Sequence, residues 1–207
     1  MEANKKMKLV KLDPDRHNLY KVAELIYETD AKTLNSYFKD KENSAKRLKK
    51  LLQVGSNSWG HEHVYIVTDD NKQIYGVLVA YRGDEISTLK DIKSYFRYLN
   101  FGDALGFILL DIGYLWDGAS IDNDDLYISD IAVNEKCRGR GIGTFILKKS
   151  LQLAKDKKCK RVVLDVDPEN DIALRLYEKM GFEIFIEENN WFLGKKRFNN
   201  MEYKLIK

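Results

Sequence analysis

The sequence predicts an α/β (α+β) fold built on one mixed sheet, and two observations predict it. In the second half, the β-branched runs "LYISDIAV" and "RVVLDVD" alternate with the helix-periodic "GIGTFILKKSLQLAKDK" and "NDIALRLYEKM". Strand–helix–strand spacing of this kind implies a parallel, right-handed crossover. In the first half, "HVYIVTD" and "IYGVLVAY" flank the polar turn "DNKQ", which reads as an antiparallel hairpin. A chain of 207 residues is long enough for one sizeable core, so 1–207 is expected to be a single domain.

The elements follow in order. "KLVKL" (Lys8 to Leu12) reads as a first strand. "DPDRHNLYKVAELIYETD" sets Leu19, Val22, Ala23 and Ile26 on one helical face, and "ENSAKRLKKLLQV" reads as another helix. After the hairpin, the segment 83–125 departs from strand–turn rhythm. Within it, "STLKDIKSYFRYL" puts Leu89, Ile92, Phe96 and Leu99 on one helical face. "ALGFILLDIGYLW" is apolar nearly all round, and its periodicity does not decide its state. Some forty residues are too many for a plain connection, so the segment should carry its own structure and shape a site. Beyond it come a strand, a helix with Ile142, Phe145, Ile146 and Leu153 facing inward, a strand, and a helix closed by Gly181. "FEIFIEEN" and "NNMEYKLI" read as two last strands around a turn near "LGKK".

Composition excludes several classes of protein. Hydrophobic residues make up 44%, and the formal net charge is only +3, small for a dedicated nucleic-acid binder. The most apolar window is about half the length of a bilayer span and contains Asp111. Two cysteines, Cys137 and Cys159, make no disulfide framework and point to a reducing interior. No signal segment opens the chain. A soluble, cytoplasmic protein is expected, monomer or homodimer, with neither membrane nor nucleic acid as partner. His61 and His63 share a strand face, but no Cys or carboxylate cluster completes a metal site, so no metal is expected.

The chemistry-bearing stretch is "SDIAVNEKCRGRGIG". A strand ends near Val133 and a helix starts near Gly141. The first helical turn exposes unpaired N–H groups at the positive end of its dipole. Gly139, Gly141 and Gly143 let a ligand approach, and Arg138 and Arg140 add charge, which together suit a diphosphate. The P-loop and Rossmann patterns both fail on glycine spacing.

The pattern R-x-x-G-x-G after "IAV", met by Arg138, Gly141 and Gly143, resembles the GNAT superfamily of acyl-CoA-dependent N-acyltransferases. A second match follows in "DVDPENDIALRLYEKMGF", with Asn170, Ala173, Leu176, Tyr177, Gly181 and Phe182 in register. The resemblance is close from about Leu126 to Phe185 and looser from Lys8 to Tyr81. It implies a mostly antiparallel sheet of about seven strands flanked by helices, with 83–125 as a helical insertion shaping the acceptor site. It implies acetyl-CoA as co-substrate and a primary amine as acceptor, either a small molecule or a peptide. The alternative is a non-catalytic acyl-CoA-binding sensor or scaffold.

By that resemblance, the backbone of Ile131, Ala132 and Val133 pairs with pantetheine, and Arg138, Gly139, Arg140, Gly141, Ile142, Gly143 and Thr144 wrap the diphosphate. Lys136 and the lysines of "KDKKCKR" are candidates for a 3′-phosphate, against the plainer reading of a solvated helix end. Asn170 reads as a helix N-cap and, by resemblance, as a pantetheine partner. Tyr177 reads either as a core tyrosine or as the acid that protonates the leaving thiolate. A primary ammonium leaves only about one molecule in a thousand neutral at pH 7, so a base is needed. Family members carry Glu or His where this chain has Tyr127 and Ser129. Asp130, re-aimed by a strand bulge, and Asp165 are the candidate bases. Val133 N–H is the candidate oxyanion donor. Asp122, Asp124 and Asp125 could steer a cationic amine, as could Glu187 and Glu188.

Overall fold

A computed structural model describes residues 7–185 and 198–205. Seven strands form one sheet in the order β1-β2-β3-β4-β5-β7-β6. They are β1 (Lys8–Lys11), β2 (Val64–Thr68), β3 (Ile74–Arg82), β4 (Asp125–Val133), β5 (Arg161–Val166), β6 (Glu183–Ile184) and β7 (Asn199–Lys204). Among the described residues, only β4 and β5 are parallel neighbours, and every other pair is antiparallel. The expected mixed, mostly antiparallel sheet is therefore present. The last strand pair is formed, but β6 is described over two residues only. The turn near "LGKK", with Glu187 and Glu188, lies outside the described residues.

Among the described residues, seven α-helices cover the two faces: α1 (Leu19–Tyr27), α2 (Ala31–Phe38), α3 (Lys41–Val54), α4 (Thr88–Tyr98), α5 (Phe101–Asp117), α6 (Ile142–Asp156) and α7 (Asp171–Lys179). α2 was not anticipated from the sequence. Most helices start on side-chain caps: Asn18, Asp30, Asp40, Asn100 and Asn170 each accept from a backbone N–H in the first turn. One core joins α1, α2, α3 and α5 to Val77, Val79 and Ala132 on one sheet face. The other joins α6 and α7 to Leu78, Ala80, Leu126 and Ile128 on the opposite face. On α6, Ile142 and Ile146 are buried as expected, with Leu147 and Ala154, while Phe145 and Leu153 are half-buried.

The segment 83–125 is helical, as α4 and α5, and the undecided "ALGFILLDIGYLW" lies within α5. Its faces are unexpected. On α4, Leu89 is 71% exposed and Phe96 48%, whereas Asp91, Ser94 and Tyr95 are buried. Of the expected stripe, Leu99 packs against the core and Ile92 is half-buried, while Leu89 and Phe96 point outward, as do Phe101, Leu105, Leu109 and Ile112 on α5. No described helix is long and apolar enough to cross a membrane.

Candidate active site

β4 and β5 run together only from Asp125–Ile128 beside Arg161–Leu164. Beyond Ile128 the two strands part, and Asp165 and Val166 pair with β7 alone. The outer edge of β4 from Ser129 to Val133 thus faces a gap. Asn134 N–H donates to the Tyr75 carbonyl (2.8 Å), which fixes the alternation of bonding along the β3–β4 pair. Ala132 and Asp130 then bond to β3, while the N–H and C=O of Ile131 and Val133 turn into the gap. The Val133 carbonyl accepts from Arg138 Nε (3.2 Å) on that side. Ala132 is the correction here. Its backbone is engaged by Val77, so only Ile131 and Val133 could pair with an extended ligand.

At the mouth of the gap lies the glycine turn. Gly139 and Gly141 have φ of 76° and 77°, conformations that glycine adopts without strain. A Cβ at either position would meet nothing within 4 Å, so the space around the turn is open. Gly141 precedes α6 and offers no side-chain cap, leaving the N–H groups of Ile142, Gly143 and Thr144 free of helical partners. Arg138 lies 3.8 Å from Glu28 and is 60% exposed. Arg140 is exposed and absent from the cavity wall. The residues present fit a diphosphate held mainly by backbone N–H.

The candidate bases differ in what holds them. The β3–β4 register slips between Val79 and Ala80, leaving Ser129 as the extra residue on β4. This bulge turns Asp130 from the α6 side to the face it shares with Val79 and Tyr127. Asp130 is buried, with Oδ2 accepting from Ser129 Oγ (2.7 Å) and Oδ1 lying 2.5 Å from Thr29 Oγ1. Thr29 has one hydroxyl proton, and the Ile26 carbonyl also lies 2.6 Å from it. When that proton serves Ile26, the contact to Thr29 needs a proton on Asp130. Burial pushes the Asp130 carboxyl up, against the hydrogen bonds from Thr29 and Ser129. Asp165 is fastened instead: it accepts from Ala119 N–H (3.0 Å), Tyr127 OH (2.9 Å) and Asn200 Nδ2.

Tyr177 belongs to the core under α6 and α7, on the opposite face of the sheet from Asp130. Burial first, and the Asp130 charge second, push its phenol up to about 12, so it is protonated at neutral pH. Its hydroxyl bonds to no other described residue. Asn170 caps α7, accepting from Ala173 N–H (3.2 Å), and also lines the cavity.

These groups open on one cavity of about 1440 Å³. It runs from the glycine turn along β4 past Asp130 to Tyr127 and Tyr81, then beneath α4 and α5. Glu28, Asp30, Asp130, Asp165 and Asp167 line its nearer part, and Asp91 and Asp111 its wall under the insertion. Arg138 is its only cationic liner among the described residues. Sequence reading missed Asp91 and Asp111 as site residues. The signal for Asp111 was a lone carboxylate inside an apolar helix.

Other expectations fail on position. Asp125 is buried against Arg161 (2.9 Å), Asp122 lies 3.6 Å from Arg161 and Asp124 pairs with Lys160, so none of them is on the cavity wall. Lys157 pairs with Glu85. The lysine run sits at the far end of α6, about 20 Å from the glycine turn, too far to meet a phosphate there. His61 and His63 lie in a 3₁₀ turn, not a strand. His61 Nδ1 is 2.8 Å from the Leu52 carbonyl, and His63 packs edge-on against Tyr81.

An open glycine turn at a helix N-terminus, beside a parted parallel strand pair, is a geometry that an extended, phosphate-ended molecule would fit as an added strand. The chain belongs to the acetyltransferase (GNAT) family, whose profile matches residues 31–182. It is 37% identical over 76 residues to thialysine N-epsilon-acetyltransferase of Bos taurus, covering 37% of this chain and 42% of that protein. It is 43% identical over 56 residues to N-alpha-acetyltransferase 30 of Xenopus laevis, covering 27% and 20%. The match thus spans less than half the length of either relative. Spermine/spermidine N(1)-acetyltransferase of Bacillus subtilis is 29% identical over 133 residues, covering 58% of this chain and 87% of that one. The fold is shared with an N-acetyltransferase structure from Staphylococcus aureus Mu50, at TM-score 0.68, 21% identity and coverage of 94% and 98%.

Proposed function

We propose that this chain, as one unit over residues 1–207, transfers an acetyl group from acetyl-CoA directly to a primary amine. The observation that carries the reading is the gap itself. An unpaired β4 edge ends in a phosphate cradle, with a carboxyl of raised pKa on one sheet face and a free phenol on the other.

Acetyl-CoA supplies the thioester. The N–H groups of Ile142, Gly143 and Thr144, with Gly139 and Gly141 bare beside them, hold the diphosphate. Ile131 and Val133 pair with the pantetheine arm, helped by Asn170. Asp130 takes the proton from the incoming ammonium, directly or through water, and its raised pKa brings its basicity nearer to neutral pH. The neutral nitrogen then bonds to the thioester carbonyl carbon while Val133 N–H donates to the oxygen. As the C–S bond breaks, Tyr177 gives its proton to the sulfur, and the nitrogen loses its second proton to solvent. Asp165 acts as a positioning residue, fixing Tyr127 and the turn after α5. α4 and α5 wall the acceptor.

The test is release of CoA thiol from acetyl-CoA across a panel of small amines and peptides. Thiol release matched by acetylated amine supports the reading. Tight CoA binding without transfer to any amine would replace it with an acyl-CoA-binding module.

A further inference from the structure

The part of the cavity beneath the insertion lies at a distance from Asp130. Along β4, Tyr127 stands three residues from Asp130, about 10 Å of strand. Tyr127 is paired with Tyr81, their rings 5.5 Å apart. Past those rings stand the α5 carboxylate of Asp111 and the α4 carboxylate of Asp91. Asp91 is spoken for, accepting from Ser58 N–H (2.8 Å). Asp111 is half open: Oδ2 accepts from Tyr95 OH (2.8 Å), and Oδ1 takes no hydrogen bond from any described residue. No described lysine, arginine or histidine lines this part of the cavity. Burial, and then the charges of Asp130, Asp111, Asp91 and Asp165, push the Tyr81 phenol up.

An oxygen without a donor, in a cavity walled by aromatic rings, is matched by a ligand that brings its own donors. An alkylammonium does so. It offers three N–H groups to Asp111 and a positive charge to the faces of Tyr81 and Trp59, and its methylene chain lies against their rings. The reacting amine must sit near Asp130, so this ammonium is a different one on the same acceptor.

We propose that Asp111 is a specificity-determining residue that holds a second ammonium of the acceptor, so that the preferred substrates are diamines and longer polycations rather than monoamines. This rests on the acetyl-transfer reading above. Burial pushes Asp111 up to about 7, and a bound ammonium supplies the counter-charge that the chain withholds.

The experiment compares diaminobutane with butylamine, and diaminohexane with hexylamine, in wild type and Asp111→Asn, all with acetyl-CoA. In wild type, kcat/KM for at least one diamine should exceed that of its matched monoamine by about tenfold or more. Asp111→Asn should lower that ratio about tenfold through KM rather than kcat, and Asp111→Glu should restore part of it. A wild-type ratio near one, or an unchanged ratio in Asp111→Asn, would overturn the proposal. Calorimetry of diaminohexane binding to the CoA-loaded protein reads the same site without turnover. About tenfold weaker binding in Asp111→Asn supports it, whereas equal binding, or none to wild type, overturns it. Diamine binding without acetyl transfer would remove the transferase reading alone. Monoamine turnover without diamine preference would remove the second ammonium site alone.

Discussion

Replacing Asp111 by Asn should stabilise the free protein, by an amount that grows with pH. The native carboxyl titrates near 7 where the ordinary value is 3.8, chiefly because it is buried, with Asp91 adding to the effect and the Tyr95 bond opposing it. Between those values the native state holds a proton that the unfolded state has released. Stability therefore falls as pH rises through that window. At 1.36 kcal/mol per tenfold change, the full difference is about 4 kcal/mol above pH 7. More than a third of this is already present at pH 5. Asn keeps an oxygen for the Tyr95 hydroxyl and never ionises, so the variant escapes this loss. Urea unfolding at constant ionic strength should show Asp111→Asn gaining about 2–3 kcal/mol on wild type between pH 5 and pH 8. Two stability curves that run parallel from pH 5 to pH 8 would refute the reasoning. They would show that Asp111 is solvated well enough to ionise freely, and the case for an ammonium as its missing partner would weaken with it.

The remaining expectations concern the transfer centre. Tyr177→Phe should lower kcat about a hundredfold while leaving the acetyl-CoA Kd within a factor of a few, measured by stopped-assay kinetics and calorimetry. Asp130→Asn should lower kcat/KM by a similar factor and flatten the acid limb of its pH profile. In wild type that limb rises as Asp130 deprotonates; a variant that kept it would assign the base elsewhere. Asp165→Asn should instead lower the unfolding midpoint, since it alters an anchor holding Ala119, Tyr127 and Asn200. Gly141→Ala places a side chain at φ 77° and should weaken acetyl-CoA binding severalfold, read by calorimetry.

Much of the fold was legible because local chemistry and global packing agree. The hairpin of β2 and β3, the crossover through α6 and the cap at Asn170 are each set by a short pattern that tertiary contacts reinforce. The bulge at Ser129 was legible only as a need, because Asp130 falls on the wrong face of an unbroken strand. Other features depend on three-dimensional neighbours. No spacing rule reveals that Ala132 is bonded to β3 while Ile131 and Val133 turn away from it, because the register of β3 decides it. No composition reveals that Asp122, Asp124 and Asp125 lie beside Lys160 and Arg161 rather than on the cavity wall.

The rotated helix α4 is the informative failure. Apolar periodicity assigns Leu89 and Phe96 to a packed face, yet both are exposed, and the inward positions carry Asp91, Ser94 and Tyr95. A helix packed only for stability would be rotated the other way. It is held in this rotation by specific bonds: Asp91 to Ser58, and Tyr95 to Asp111 on the neighbouring helix. Those bonds place Asp91 and Asp111 on the cavity wall, with one Asp111 oxygen engaged by Tyr95. Conflict between pattern and packing is expected where a structure serves a ligand rather than its own core. Here the conflict is confined to the 83–125 insertion. In the proposed reading, the common sheet carries the transfer groups and the insertion carries the selectivity.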